Sequence, residues 1–521
     1  MDQPAPRYVH PIALGVGLAA FAWYAWLAPH GCITRDEAWL LDCADRVARG
    51  EWPLRDFKTI YGPGLYVIFG MVLKVFGPDL LAVRLTWAVL RALVAVATWR
   101  IGARLLPWPM ALGAAATITL APGPWHKTLF ALITGAVLLS AIEHLATGER
   151  RQLRDAGWLA GLGAWFRQDA AAFVAIGVCS AWVAEGLLAR RAGDADRAAR
   201  AWASLKGFLV PCASAFLLLL AVQAPLVSPL TFFQALVFDA AQAGHPAGTR
   251  VADLIGGDTV RYGALTGLAI GTVVAMVAVA AGTLLQAGRS LAQGPSARSL
   301  GLWMLAATAL ASVQQLVETN ALTRLLQCGL PFHLLWFLST SVEGSGLRQR
   351  ATRALGFAWP ALLVALLSIT GPNAVFSPEY GGSVGLLLDR TRPFEVRGRT
   401  YYCSLDGVRQ MRELRELTTE IPPGASLFVA PHPPSLNFLS GHRNPTRYIR
   451  VDESAPASLR AALEEIRGGA GNWMLLQTDQ VTELAPDVRT LLADQFVREA
   501  EQGKFTLWRR KAASRREGEA R

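Results

Sequence analysis

The run PIALGVGLAAFAWYAWLAP, Pro11 to Pro29, contains no Asp, Glu, Lys or Arg. As a helix it would extend about 28 Å, close to the roughly 30 Å of hydrocarbon in a bilayer. Leu105 to Trp125, Gly207 to Val227, Tyr262 to Gly288, Leu300 to Val317, Leu325 to Val342 and Leu355 to Asn373 are equally free of charge. Leu80 to Trp99, Thr128 to Ala146 and Ala170 to Leu188 are as long with a charge or two, and Ala156 to Phe166 joins them if its helix begins near Gln152. The runs predict a polytopic α-helical membrane protein with about eleven crossings. The first crossing is expected to stay uncleaved, because Trp23, Tyr24 and Trp26 stand where a signal peptidase needs small residues.

Composition agrees. Of 521 residues 52% are hydrophobic and only 17% charged, with a mean hydropathy of +0.31, whereas soluble domains carry about 25% charge. Soluble, disordered, collagen-like and coiled-coil classes are thereby excluded. The net charge of +11 is read as basic cytoplasmic loops rather than a nucleic-acid surface. The six cysteines show no CxxC pair and no metal-ligand spacing. Either Cys32 pairs with Cys43 in an oxidising compartment, or the cysteines are unpaired structural thiols.

Arg and Lys collect in five clusters between spans: Arg100 with Arg104; Arg150, Arg151 and Arg154; Arg190 to Lys206; Arg289 with Arg298; and Arg348, Arg350 and Arg353. Placing all five in the cytoplasm requires the N-terminus inside, residues 31–79 outside as a first outer loop, and an exit that leaves residues 372–521 outside. It also requires that LYVIFGMVLKVF, Leu65 to Phe76, lie in the interface, being too short to span. A second amphipathic stretch, Asp36 to Arg49, sets Leu40, Leu41, Ala44, Val47 and Ala48 against Asp42, Asp45, Arg46 and Arg49. Trp52-Pro53 and Tyr61-Gly62-Pro63-Gly64 break the connector between these two surface helices.

Two domains are expected, a membrane domain over 1–371 and a water-facing domain over 372–521. In the second, Ser426 to Ala430, Trp473 to Gln477 and Phe505 to Trp508 read as strands, and Ala457 to Arg467 and Pro486 to Glu499 as helices, which makes a small α/β domain. The chain has no Walker loop, GxGxxG, HExxH or GxSxG.

With that sidedness the outer end of the bundle gathers Asp36 and Glu37, His126 and Lys127, Arg167, Gln168 and Asp169, and Arg324. A carboxylate can take a proton from an attacking hydroxyl while cations hold an anionic leaving group, the pair of tasks in transfer from a phosphate-linked donor.

The run TRDEAWLLDCADRVARGEWPLRDF, Thr34 to Phe57, with YGPGLYVIF after it and FGPDLLAVRL over Phe76 to Leu85, resembles the first outer loop of bacterial GT-C glycosyltransferases. These include protein mannosyltransferases, lipid A aminoarabinose transferases and lipopolysaccharide sugar transferases. GLGAWFRQD, Gly161 to Asp169, resembles a second segment of the last group. The resemblance covers roughly Asp36 to Asp169; from Gly207 onward it is architectural. It implies a glycosyltransferase of the bacterial inner membrane, with Asp36 as catalytic base and a sugar donor on a polyprenyl phosphate. The acceptor would be a lipid, glycan or protein at the outer face, attacked with inversion at the anomeric carbon.

Each residue has a plainer alternative. Thr34 and Glu37 have capping-box spacing, and Asp36 sits where a helix dipole favours an acid. Asp56 is a second site acid or a turn residue. Arg167 and Asp169 either form a local ion pair or bind phosphate, and His126 and Lys127 either snorkel or bind substrate. Arg91, in mid-span, is expected against a buried partner. Arg324, ahead of LLQCGLP, is a candidate phosphate ligand. No cofactor is required by the pattern, although Asp36, Glu37 and Asp169 would suit Mg²⁺ or Mn²⁺ if they converge. Two other classes compete: a transporter or flippase of lipid-linked saccharides, which would favour broken mid-membrane helices and internal repeats, and an envelope scaffold.

Overall fold

The structure is a computed structural model. It describes residues 9–31, 35–59, 61–120, 127–235, 259–315, 329–341, 352, 354, 356–362, 392–403, 405–430, 435–449, 456–477 and 486–511. The membrane part runs α1 (Val9–Leu27), α2 (Arg35–Ala48), α3 (Pro63–Phe76), α4 (Leu80–Leu105), α5 (Trp108–Leu120), α6 (Thr128–Thr147), α7 (Arg150–Gly163), α8 (Gln168–Arg191), α9 (Ala195–Gln223), α10 (Pro229–Gln234), α11 (Thr259–Gln293), α12 (Ala297–Ala311) and α13 (Leu330–Thr340). Among the described residues six helices, α1, α4, α6, α8, α9 and α11, are long and apolar enough to cross a bilayer. Leu14 and Leu18 of α1 and Leu217, Leu218 and Val222 of α9 point outward, as side chains in contact with lipid must. The chain is a multi-pass membrane protein.

Several ends differ from the hydropathy runs. The run from Leu105 to Trp125 straddles two helices, because α4 continues through Leu105 and the chain turns at Leu106-Pro107 before α5. A proline cannot continue the helical hydrogen-bond ladder, and hydropathy does not register that break. At 13 residues, α5 is about 20 Å long, less than the hydrocarbon thickness. The expected helix over Ala156 to Phe166 starts earlier, at Arg150, and ends at Gly163. The run after Leu300 turns into a 3-10 segment at Ser312–Gln315. Residues 363–391, where the domain boundary was placed, lie outside the described residues.

In the bundle α1 packs on α4, α8 on α9 and α12, and α7 on α9. The last contact is close because α7 carries glycines at 157 and 161: a Cβ at Gly157 would stand 2.3 Å from the Phe208 carbonyl oxygen, and one at Gly161 2.3 Å from that of Cys212. Glu143 of α6 pairs with Arg100 and Arg104, and Glu185 of α8 with Arg197. Arg84 lies at the other end of α4, about 30 Å from Arg104 by helical rise. Arg91, between them, donates from Nη1 to the Tyr24 hydroxyl at 3.3 Å and lies over the Tyr24 ring, the buried partner expected of it.

The C-terminal part contains a hairpin, β1 (Arg392–Val396) with β2 (Arg399–Cys403), then α14 (Leu405–Thr419), β3 (Leu427–Ala430), α15 (Ser435–Ser440), α16 (Pro456–Arg467), β4 (Trp473–Gln477), α17 (Pro486–Gln495), β5 (Phe496–Gln502) and β6 (Phe505–Arg510). The four-stranded sheet has order β3-β4-β6-β5, with β3 and β4 parallel and the other neighbours antiparallel. This is the expected small α/β domain with one correction: the helix predicted to reach Glu499 stops at Gln495, and Phe496 opens a strand paired with Arg510. β5 is an edge strand that buries little beyond Phe496, so it shows no strong apolar alternation.

Candidate active site

Helix α2 begins at Arg35, which sets Asp36 in its first turn and Glu37 one residue further on. Both Glu37 oxygens accept from the Arg84 guanidinium, from Nε at 2.7 Å and from Nη2 at 2.8 Å. The pair is sealed, Arg84 being 1% and Glu37 5% exposed. Arg84 also donates to the carbonyls of Ala28, His30 and Gly31 at 2.9, 3.1 and 3.2 Å. One guanidinium therefore ties the end of α1, the start of α2 and the start of α4. The Tyr401 ring lies 5.9 Å from it, and burial, with Asp79 beside it, pushes the Tyr401 hydroxyl up to about 12. Thr34 and the Asp36 side chain lie outside the described residues.

The second segment lies at the break between α7 and α8. Arg167 precedes α8 and is wholly buried. It donates from Nε to Asp169 Oδ1 at 3.0 Å and from Nη2 to Oδ2 at 2.5 Å, so the local ion pair is present. Its guanidinium lies 4.2 Å from the Tyr61 ring centre and 5.6 Å from that of Phe130. Lys127, at the start of α6, is buried and within Coulombic reach of Asp169. Gln168 begins α8 and is half-buried. His126 and Arg324 lie outside the described residues.

The glycines of YGPG bring this segment to the first loop. A Cβ at Gly62 would stand 2.1 Å from the Trp165 carbonyl oxygen, and one at Gly64 2.9 Å from the Phe166 ring, so only glycine allows this approach. The Gly64 amide donates to that carbonyl at 2.9 Å. Trp39 of α2 stacks edge-on to Tyr61 at 5.5 Å, which links Arg167 to the helix carrying the acids. Two segments more than a hundred residues apart thus pack together at one place.

Asp56 lies in a turn. Its Oδ2 accepts from the Trp52 amide at 2.6 Å and from Arg55 Nη2 at 2.7 Å. The Arg55 hydrogen bond holds its carboxyl below the ordinary range, against burial, with help from the Trp52 amide. The turn is anchored by Trp52 Nε1, which donates to Gln223 Oε1 at 3.0 Å.

Sequence reading made α2 a surface helix of the first loop, and in the structure its polar face is covered: Asp42, Asp45 and Arg46 are buried. The C-terminal domain covers them through α15 and the Thr446 carbonyl, which accepts from Arg46 Nη1 at 2.8 Å. Burial raises the Asp42 carboxyl to about 6 in spite of Arg46 and Arg49, and its Oδ2 meets no donor. The residues missed by sequence reasoning are Arg84, Tyr61 and Trp39. Arg84 is recognisable only as a charge inside an apolar helix.

Of the three acids considered for a metal, the Asp36 side chain lies outside the described residues. Glu37 is held by Arg84 and Asp169 by Arg167, and no three His, Cys, Asp or Glu among the described residues could hold an ion.

Helical spans, a folded first loop and a C-terminal α/β domain define an architecture that solved structures share. No protein-family model matches the chain, and no curated protein does. The crystal structure of the Archaeoglobus fulgidus oligosaccharyltransferase tethered to an acceptor peptide containing the NVT sequon superposes with a TM-score of 0.50 at 10% identity, covering 97% of this chain and 74% of that one. ArnT from Cupriavidus metallidurans bound to undecaprenyl phosphate gives 0.47 at 13%, covering 96% and 98%. AglB from Archaeoglobus fulgidus, in complex with an inhibitory peptide and a dolichol-phosphate, gives 0.48 at 10%, covering 96% and 74%. The tethered-peptide structure establishes a shared fold, a polytopic helical bundle with a C-terminal α/β domain.

Proposed function

We propose that the chain is a membrane glycosyltransferase that moves a sugar from a polyprenyl-phosphate donor to an acceptor at the outer face of the membrane. The observation that carries the reading is the convergence at one place of the acid-bearing start of α2 and the Arg167, Lys127 and Asp169 cluster, bridged by Tyr61 and Trp39. In that cluster the Arg167 guanidinium pairs with the Asp169 carboxylate and Lys127 lies within electrostatic reach of it, so cationic groups gather where an anionic leaving group would be received. Asp36 acts as general base on the acceptor hydroxyl, the anomeric carbon inverts, and the lipid phosphate departs as an anion that needs cations rather than a proton. Glu37, locked by Arg84, fixes the helix start that presents Asp36. A carrier lipid suits the task, because nucleotide sugars remain in the cytoplasm whereas a lipid can present its head group outside.

The test is transfer by purified protein supplied with radiolabelled polyprenyl-phosphate sugars and envelope extracts. Asp36→Asn keeps the size but loses proton-accepting power, so turnover should fall about 10²-fold or more while membrane accumulation is unchanged. Transfer by Asp36→Asn at the wild-type rate would remove Asp36 from the chemistry.

A further inference from the structure

Cys403 ends β2 and is disulfide-bonded. The chain has six cysteines, of which Cys43, Cys179 and Cys212 are free thiols, leaving Cys32 and Cys328 as partners. Cys43 is a buried free thiol, so the pairing of Cys32 with Cys43 considered from sequence does not occur.

The backbone decides between the two. The Tyr402 amide donates to the Pro29 carbonyl at 3.0 Å, and the Gly31 amide to the Tyr402 carbonyl at 2.8 Å. These bonds form a parallel bridge between His30 and Tyr402, which sets Gly31 level with Cys403. Cys32 follows Gly31 in the sequence, one peptide step of about 3.8 Å from a residue that lies about 4.8 Å from Cys403, so chain connectivity keeps it within reach of a disulfide. Cys328 is two residues before Leu330, whose side chain packs at Gly135 beside Ala97. Ala97 is about 20 Å along α4 from Arg84, beneath Tyr401, and two residues of chain reach at most about 7 Å.

We propose that Cys403 is bonded to Cys32, and that this cross-link fastens the C-terminal domain to the turn from which α2 and its acid pair emerge. The bond completes a strap already held by non-covalent contacts. Arg399 pairs with Asp79 at 2.8 Å, the Tyr401 hydroxyl accepts from the Leu81 amide at 3.0 Å, and the His30 and Tyr402 rings lie 5.3 Å apart. Its formation is thiol–disulfide exchange: one thiolate attacks the disulfide of an oxidoreductase, and the second displaces that enzyme's thiolate from the mixed disulfide. Two electrons and two protons pass to the oxidoreductase, which leaves as a dithiol. The bond therefore forms on the oxidising side of the membrane. It stands whether or not the chain transfers sugar, because it rests on the pairing of Tyr402 with residues 29–31 and not on the chemistry of the site.

Full-length protein is isolated from membranes lysed in N-ethylmaleimide, digested without reduction and mapped by mass spectrometry. A peptide pair joining Cys32 to Cys403, separated by reductant, is the expected result. Alkylated Cys32 and Cys403, or a Cys328–Cys403 pair, overturns the proposal. In a second arm, Cys32→Ser, Cys403→Ser and the double variant should lower the thermal midpoint by the same several degrees, without addition, and reductant should do the same to wild type alone. An unchanged midpoint on reduction overturns the fastening role. If a serine variant fails to accumulate, the map and the reductant arm still decide. Loss of sugar transfer with the cross-link intact would count against the enzymatic reading only.

Discussion

Glu37→Gln and Arg84→Met, alone and together, test how the acid-bearing loop is held. Glu37→Gln leaves a guanidinium 1% exposed without its counter-charge, although its bonds to the carbonyls of Ala28, His30 and Gly31 remain. Breaking a buried pair from one side costs about 3–5 kcal/mol. Arg84→Met strands the Glu37 carboxylate and also unties those three carbonyls, each worth about 1 kcal/mol, so it is the worse single change. The double variant removes both charges of the pair together and loses mainly the carbonyl bonds, about 3 kcal/mol in all. It should therefore be more stable than Arg84→Met, with a coupling of a few kcal/mol rather than simple addition. Thermal unfolding in one detergent, followed by tryptophan fluorescence, ranks the four proteins. If the double variant is as damaged as the two singles summed, the pair is not a coupled unit and Arg84 is only a packing residue.

Arg167→Ala and Asp169→Ala should each destabilise the protein, and if Arg167 only neutralises Asp169 the double change should restore stability and transfer. A donor KM defect persisting in a stably folded double variant supports the anion role, and full recovery sinks it. Asp42, raised to about 6 from an ordinary 3.8, favours the protonated folded state, so its stability deficit grows as pH rises from about 4 to 6 and is complete above. Asp42→Asn should then add up to about 3 kcal/mol at pH 7.5 and nothing near pH 3.5; an equal effect at both pH values refutes this. In a chain stripped of native cysteines, cysteine at Ser296 or Ser345 should be protected from an impermeant thiol reagent in intact cells and cysteine at Ser458 labelled. The reverse pattern would put the site on the cytoplasmic side.

The spans were legible because lipid demands long uncharged runs, and nothing else in a chain produces them so consistently. Their ends were less legible where backbone chemistry decides, as at Leu106-Pro107 or where Gln495 gives way to the strand at Phe496. The Arg167 and Asp169 pair could be anticipated, since two residues of separation already place them together. The Glu37 and Arg84 pair could not, because local spacing offers Glu37 a nearer task in capping, and only the packing of α4 against the turn at residues 28–31 brings Arg84 to it.

The polar face of α2 shows the limit most plainly. Its alternation of charge and hydrocarbon is what a helix lying at a membrane surface displays, and also what a helix displays when apolar side chains meet α3 while charged ones meet a separate domain. The amphipathic pattern reports that two faces differ, not what lies against the polar one. Arg46 resolves the ambiguity: its guanidinium pairs with Glu51, donates to the Thr446 carbonyl and lies over Phe57, a set of partners that water does not supply. The loop is thus held from three sides, by Arg84 beneath, by YGPG against Trp165 and by the C-terminal domain above. A helix start fixed in this way gives the acids it carries a rigid backbone support, which the base proposed at Asp36 would require to meet a positioned hydroxyl.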